Sequence, residues 1–204
     1  IRGMYVCVPR NMVQASGMYN LLLQSDDPAL VVECLNGYRS KEALPKNLGD
    51  FTVPMGVPEV VKEGTDITVV SYGSTFNLCQ EAIGRLEALD IDVELVDVQT
   101  LLPFDREGRI AKSIEKTNRV IFIDEDVPGG ASAYMMDQVI NGQDAWKYLD
   151  SKPKTLSAQP HLPAYSTDGD YFSKPSLDDI VEAIYDVMHE SSPSMYPALK
   201  QHGI

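Results

Sequence analysis

The chain has 204 residues, 44% of them hydrophobic, and a formal net charge of −13 from 17 basic and 30 acidic side chains. That length holds one good-sized α/β domain, or one domain and part of another, with enough apolar content for a packed core. So acidic a chain has little positive surface for nucleic acid or an anionic membrane, and a basic protein partner suits it better. No run of about eighteen apolar residues is present, so the expected setting is soluble and cytoplasmic.

The chain opens directly on a strand-like run, MYVCVP, with no initiator methionine, which reads as a start inside a longer polypeptide. NMVQASGMYNLLLQS follows as a helix with Met12, Ala15, Met18, Tyr19 and Leu22 on its apolar face, and ALVVEC returns as a strand. One strand–helix–strand cannot bury its own apolar surface, so residues 1–45 read as the tail of another domain. Glycine and proline accumulate through 46–65, the predicted connector, with short strands around FTVP and PEVV.

Residues 66–190 read as the main domain. Three short β-branched runs, ITVVSY, VELVDV and VIFIDE, begin at Ile67, Val93 and Val120 at nearly equal intervals. They barely alternate, as strands do when helices cover both faces of a parallel sheet. Between the first two, Phe76, Cys79, Ile83, Leu86 and Leu89 recur at helical spacing, opposite Gln80, Glu81, Arg85 and Glu87. Between the second and third, Asp105 stands where an N-cap belongs and Ile110, Ala111 and Ile114 form a thinner stripe. Then come a helix from ASAYMMDQVIN, a fourth strand in KTLSAQP, an irregular loop over PHLPAYSTDGDYFSKP, and a helix opened by a Ser176/Asp179 capping box. Ile180, Ile184, Val187 and Met188 supply that helix's buried stripe, and 191–204 reads as a tail.

A sheet of this kind binds ligands at the carboxyl ends of its strands, so the loops after Tyr72, Gln99 and Asp126 are the ones to search. YGSTFN has one glycine, neither a dinucleotide fingerprint nor a P-loop; Ser74 and Thr75 read as caps of the next helix. In DEDVPGG, three successive carboxylates cannot all point one way, so Asp124, Glu125 and Asp126 read as a solvated strand end rather than a cation site. His161, His189 and His202 lack partners at metal spacing, and Cys7, Cys34 and Cys79 read as reduced, buried thiols. From the residues alone no catalytic site emerges.

Taken together, EGTDITVVSYGS, VELVDVQTLLPFD and VIFIDEDVPGG resemble the C-terminal domain of the transketolase-like thiamine diphosphate enzymes. CVPRNMVQASGMYNLLLQSDDPALVVECLNGYR resembles the close of their pyrimidine-binding domain. DVQTLLPFD is similar to the phrase found in beta subunits of pyruvate and branched-chain 2-oxo acid (2-oxoisovalerate) dehydrogenases. The resemblance implies a three-layer α/β sandwich with a mainly parallel sheet, preceded by a strand–helix–strand remnant of the pyrimidine-binding domain. It implies a thiamine-diphosphate-dependent oxidoreductase whose alpha subunit, or alpha portion, carries the diphosphate and magnesium. The family's catalytic and cofactor-binding residues would lie upstream of Ile1, so this fragment is expected to be inactive alone and to serve a beta–beta dimer and assembly of the multienzyme complex. It further implies a structural potassium ion on backbone oxygens at Leu22, Ser25 and Asp27. A surface for the subunit-binding domain of the dihydrolipoyl acyltransferase is implied at Asp144, Asp150 and the terminal Ile204. Two readings stand beside it: a transketolase or deoxyxylulose-phosphate-synthase relative, and a stand-alone α/β ligand-binding or regulatory domain.

Overall fold

The computed structural model describes residues 3–165 and 169–198. An N-terminal segment forms β1 (Tyr5–Cys7), α1 (Met12–Leu22) and β2 (Ala29–Val31), followed by a short 3-10 turn at Leu35–Arg39. The main body then runs β3 (Glu59–Lys62), β4 (Ile67–Ser71), α2 (Gly73–Glu87), β5 (Val93–Asp97), β6 (Thr100–Leu102), α3 (Arg109–Thr117) and β7 (Val120–Ile123). It closes with α4 (Ala131–Asp137), β8 (Lys154–Leu156), α5 (Gly169–Ser173) and α6 (Leu177–Ser191).

The three β-branched runs lie side by side in a five-stranded sheet of order β3-β5-β4-β7-β8. β4 is parallel to both β5 and β7, β8 is parallel to β7, and β3 closes the other edge antiparallel to β5. All residues of β4, β5 and β7 are buried, which is why they alternate so little: both faces are covered. Ile67, Val69, Leu95, Ile121 and Ile123 pack under α2 and α6, through Phe76, Leu86, Ile184 and Met188. Val70, Val96, Val120 and Phe122 point the other way, against Ile110, Ile114, Met135 and Val139 of the opposite helical layer. The result is the expected three-layer α/β sandwich.

A second sheet, of order β2-β1-β6, sits beside it. β1 pairs parallel with β2 and antiparallel with β6, so the N-terminal strand–helix–strand shares a sheet with a strand from the middle of the main body. Its small core is Cys7, Met18 and Met55, with Tyr5, Leu22 and Val53 around them. Gly17 lets the connector come close: a Cβ there would lie 2.7 Å from both Phe51 and Val53, and the Val53 amide donates to the Gly17 carbonyl.

Several expectations change on inspection. PEVV becomes β3, but Phe51–Pro54 forms no strand; Val53 satisfies its amide on α1 instead. Met12 and Tyr19, expected on the buried face of α1, are 46% and 40% exposed, leaving Ala15 and Met18 as the packed pair. Leu89 lies past the end of α2 in an exposed turn. α2 begins at Gly73 with no side-chain cap, so Ser74 and Thr75 sit inside it. Asp105 caps α3 from four residues upstream, its two carboxylate oxygens accepting the Arg109 and Ile110 amides at 2.9 Å. The loop after β8 contains the short α5. The described part of the tail folds back, burying Tyr196 against Tyr185, with its hydroxyl donating to the Asp90 carbonyl at 3.2 Å.

Candidate functional site

The DVQTLLPFD phrase stitches the two sheets together. β5 ends at Asp97, Gln99 turns with φ of 63°, and β6 starts at Thr100. The Asp97 side chain is fully buried, where an unpaired carboxylate is prohibitively costly. It is met by Arg10, which also reaches Glu59 at 2.7 Å, and by the Gln14 amide at 3.0 Å. Gln14 donates to the Gln99 side chain as well, at 2.7 Å, and the Gln99 amide nitrogen donates to the Val57 carbonyl at 2.8 Å. Thr100 accepts the Gly56 amide and donates to the Pro103 carbonyl. Burial pushes the Asp97 carboxyl above its ordinary value, while Gln14, Arg10 and the Gln99 amide pull it back. N-terminal segment, connector and main body therefore meet on one buried charged group.

Next to this joint lies the switch point of the parallel sheet. The connection leaving β4 goes to β5 on one side, and the one leaving β5 returns to β7 on the other, so the crevice opens between the carboxyl ends of β4 and β7. A cleft of about 680 Å³ occupies that place. Tyr72, Gly73 and Ser74 line it from β4, Glu125 and Asp126 from β7, and Val6, Val8, Glu33 and Cys34 from the small sheet. A second hollow of about 530 Å³ shares Cys34, Ser74, Glu125, Asp170 and Lys174 with it and continues along the seam.

The three carboxylates of DEDVPGG lie just past the end of β7 and part company; Asp124 is fully buried rather than solvated. Asp124 turns inward, its Oδ2 accepting the Ser132 amide while Oδ1 is buried without a partner; burial raises its pKa to about 6. Glu125 accepts from Ser74 at 3.0 Å and pairs with Lys174 at 2.9 Å. Asp126 accepts the Val127 amide and packs over Gly130, where a Cβ would come within 2.2 Å of its carboxylate. Among the described residues no group of three or more His, Cys, Asp or Glu is arranged for a metal ion. With Glu33, Glu125, Asp126 and Asp170 against a single Lys174, the cleft lining repels a diphosphate and does not fit thiamine diphosphate.

Leu22, Ser25 and Asp27 come together on the turn between α1 and β2. The Leu22 carbonyl accepts the Ser25 amide, Ser25 Oγ accepts the Asp27 amide, and Asp27 accepts the Tyr5 hydroxyl at 3.1 Å. Asp144 and Asp150 flank the 3-10 turn Ala145–Tyr148, both exposed, with Trp146 standing out between them. Asp150 already pairs with Arg119 at 2.7 Å. Ile204 and His202 lie outside the described residues. Cys7 and Cys79 are buried free thiols, whereas Cys34 is only half-buried and lines the cleft. Sequence reading missed Arg10, Gln14 and the cleft's second wall; Arg10 and Gln14 reach Asp97 across 87 and 83 residues, and the only local signal was the DVQTLLPFD phrase itself.

A mainly parallel sheet with helices on both faces and a cleft at its switch point defines an α/β domain of the doubly wound kind. The chain belongs to the transketolase C-terminal domain family, which residues 56–172 match. It is 32% identical over 163 residues to the acetoin:2,6-dichlorophenolindophenol oxidoreductase subunit beta of Bacillus subtilis, covering 80% of this chain and 46% of that protein. It is 37% identical over 127 residues to the mitochondrial 2-oxoisovalerate dehydrogenase subunit beta of Chaetomium thermophilum, covering 61% and 26%. It is 27% identical over 191 residues to the pyruvate dehydrogenase E1 component subunit beta of Rhizobium meliloti, covering 93% and 41%. The chain thus spans less than half the length of these three relatives. Among solved structures, a split-gene transketolase described as an inactive beta4 tetramer shares the fold, with TM-score 0.72 at 21% identity over 93% of this chain and 58% of that one.

Proposed function

We propose that this chain is the C-terminal part of the beta component of a thiamine-diphosphate-dependent 2-oxo acid dehydrogenase, which decarboxylates a 2-oxo acid oxidatively and passes the acyl group to lipoyl groups. The observation that carries it is that two of the three relatives above are named as beta subunits of 2-oxo acid dehydrogenases, and the third as the beta subunit of an acetoin oxidoreductase. In this reading the chain supplies assembly: a beta–beta dimer, contact with the alpha component, and docking of the acyltransferase's subunit-binding domain, in the cytoplasm. Magnesium and the cofactor's diphosphate belong to the alpha component. Asp144 and Asp150 around Trp146 suit a basic docking partner, since exposed carboxylates beside an aromatic steer and anchor Lys- or Arg-bearing surfaces. The Leu22–Asp27 turn suits a weakly held potassium ion on the backbone oxygens of Leu22, Ser25 and Asp27, of which the Leu22 carbonyl accepts one amide and keeps lone-pair capacity. Potassium chloride, compared with sodium chloride at the same concentration, is then expected to raise the melting temperature, and equal melting temperatures in the two salts would count against the site.

The test is substrate-dependent reduction of an artificial electron acceptor by the longer natural polypeptide assembled with its alpha component. Turnover of 2-oxoisovalerate or pyruvate is expected. Turnover of sugar phosphates alone would move the chain to the transketolase reading. Acetoin is a third arm, favoured by the Bacillus relative, and exclusive turnover of it would replace the 2-oxo acid.

A further inference from the structure

We propose that the surface formed by α5 and the loop before it, carrying Leu162, Tyr165, Tyr171 and Phe172, is where two copies of this chain meet about a two-fold axis. The inference deepens the assembly reading above by giving the beta–beta contact a location, and it rests on that reading only for the name of the oligomer.

Residues 159–165 are laid onto α5 by hydrogen bonds. The Gln159 amide donates to the Ser173 carbonyl at 2.9 Å, and the Ala164 amide to Ser173 Oγ at 3.0 Å. Gly169 allows the closeness, since a Cβ there would lie 2.0 Å from the Ala164 carbonyl oxygen. On this frame Leu162 and Tyr165 are 90% and 101% exposed; Tyr171 and Phe172, edge to face at 5.9 Å, are 59% and 66% exposed. At about 150–250 Å² per aromatic side chain and somewhat less for leucine, the four expose on the order of 600 Å². That is at the top of what a monomer leaves to water in one patch, and it approaches the roughly 800 Å² that each partner buries in a standard interface.

Charge decides which partner. The chain carries −13 overall, so two copies repel wherever their acidic surfaces meet. This face lacks that barrier: no Asp, Glu, Lys or Arg lies between Lys154 and Asp168, Asp170 pairs with Lys174, and Asp178 with Arg85. A basic partner finds little to attract it here, whereas an identical copy meets little like charge and can bury the rings. A two-fold contact also needs a patch that fits itself. Beside Tyr171 and Phe172 lies a hollow of about 240 Å³, lined also by Leu156, Gln159, Pro175 and Asp179. Tyr165, the fully exposed ring on the same loop, is the knob for the other copy's hollow. Asp179 gives only Oδ2 to the Ser176 cap, which leaves Oδ1 to accept the tyrosine hydroxyl. The exposed face around β2 differs, because β2 is an open edge of its sheet and calls for further backbone. The α5 face has its Gln159, His161 and Ala164 amides bonded within itself and presents side chains.

The test is sedimentation equilibrium of the full beta component proposed above and of the 204-residue chain, each over a range of concentrations. A reversible dimer is expected in both, strengthened by added salt, which screens the repulsion between two acidic chains. Tyr165→Asp and Phe172→Ser should each raise its dissociation constant roughly a hundredfold or more, because a two-fold contact loses every substituted side chain twice. Both positions are exposed, so the urea midpoint of the monomer should not move. Leu30→Ser, on the β2 face of the 204-residue chain, should leave the dimer unchanged. The proposal is overturned if the parent chain stays monomeric, if Tyr165→Asp leaves the dimer intact, or if salt disperses it. It is equally overturned if Leu30→Ser weakens the dimer as much as Tyr165→Asp, which would mean indiscriminate apolar contact. Variants that disperse the 204-residue chain but not the full beta component would also overturn it, by showing that the component covers α5 itself. Turnover by the assembled enzyme judges the 2-oxo acid reading separately, since the dimer is read without substrate.

Discussion

At Asp97 a fully buried carboxylate holds Arg10 and Gln14, 87 and 83 residues away in sequence. Removing one member of such a pair strands the other in low dielectric, so Arg10→Met should cost about 3–5 kcal/mol in urea unfolding. The double variant Arg10→Met/Asp97→Asn should recover part of that loss, since neither charge is then left alone. The phrase holding Asp97 was conspicuous in the sequence, but its partner was not, because nothing local ties a carboxylate at 97 to a guanidinium at 10. Asp124 offers a second test. Its pKa of about 6 lies above the ordinary 3.8, so between those values the folded chain holds a proton that the unfolded chain has released. Stability contributed by this group is therefore present below pH 3.8 and lost as pH rises through about 6. Asp124→Asn should flatten the fall in stability across that window, on the order of 2–3 kcal/mol at full effect, as read by urea midpoints at a series of pH values.

Elements whose causes are local were legible; those with distant causes were not. Ser176 and Asp179 form the reciprocal capping box their spacing predicts, with the Ser176 hydroxyl accepting the Asp179 amide at 3.2 Å. Ser176→Ala should cost about 1 kcal/mol and loosen the first turn of α6, visible as faster amide exchange there. β6 is the opposite case. TLL reads as loop because it follows β5 after only a two-residue turn, and it becomes a strand because β1 arrives to pair with it. Thr100 is buried there, its hydroxyl bridging the Gly56 amide and the Pro103 carbonyl. Thr100→Val keeps the shape and removes both bonds, so a loss of about 1–3 kcal/mol is expected, with the Gly56 amide exchanging faster.

Over the whole molecule, the main sheet was recoverable because strands covered on both faces carry their own signature and the helices between them repeat at 3.6 residues. The cleft was not, because its walls come from β1, β2, β4 and β7, which chain order alone does not bring together. The small sheet is the less finished part: Leu30, Val32, Leu35 and Tyr38 around β2 are exposed, more apolar surface than a domain usually leaves to water in one place. In the proposed enzyme that face is covered by the rest of the beta component, which also brings the groups that hold the cofactor. The direct measurement is calorimetry of thiamine diphosphate and magnesium against the 204-residue chain and against the full beta component proposed above, assembled with the proposed alpha component. The account predicts saturable binding to the assembled enzyme and no measurable heat of binding with the shorter chain. Comparable affinity in both would contradict it, placing the cofactor site within these residues.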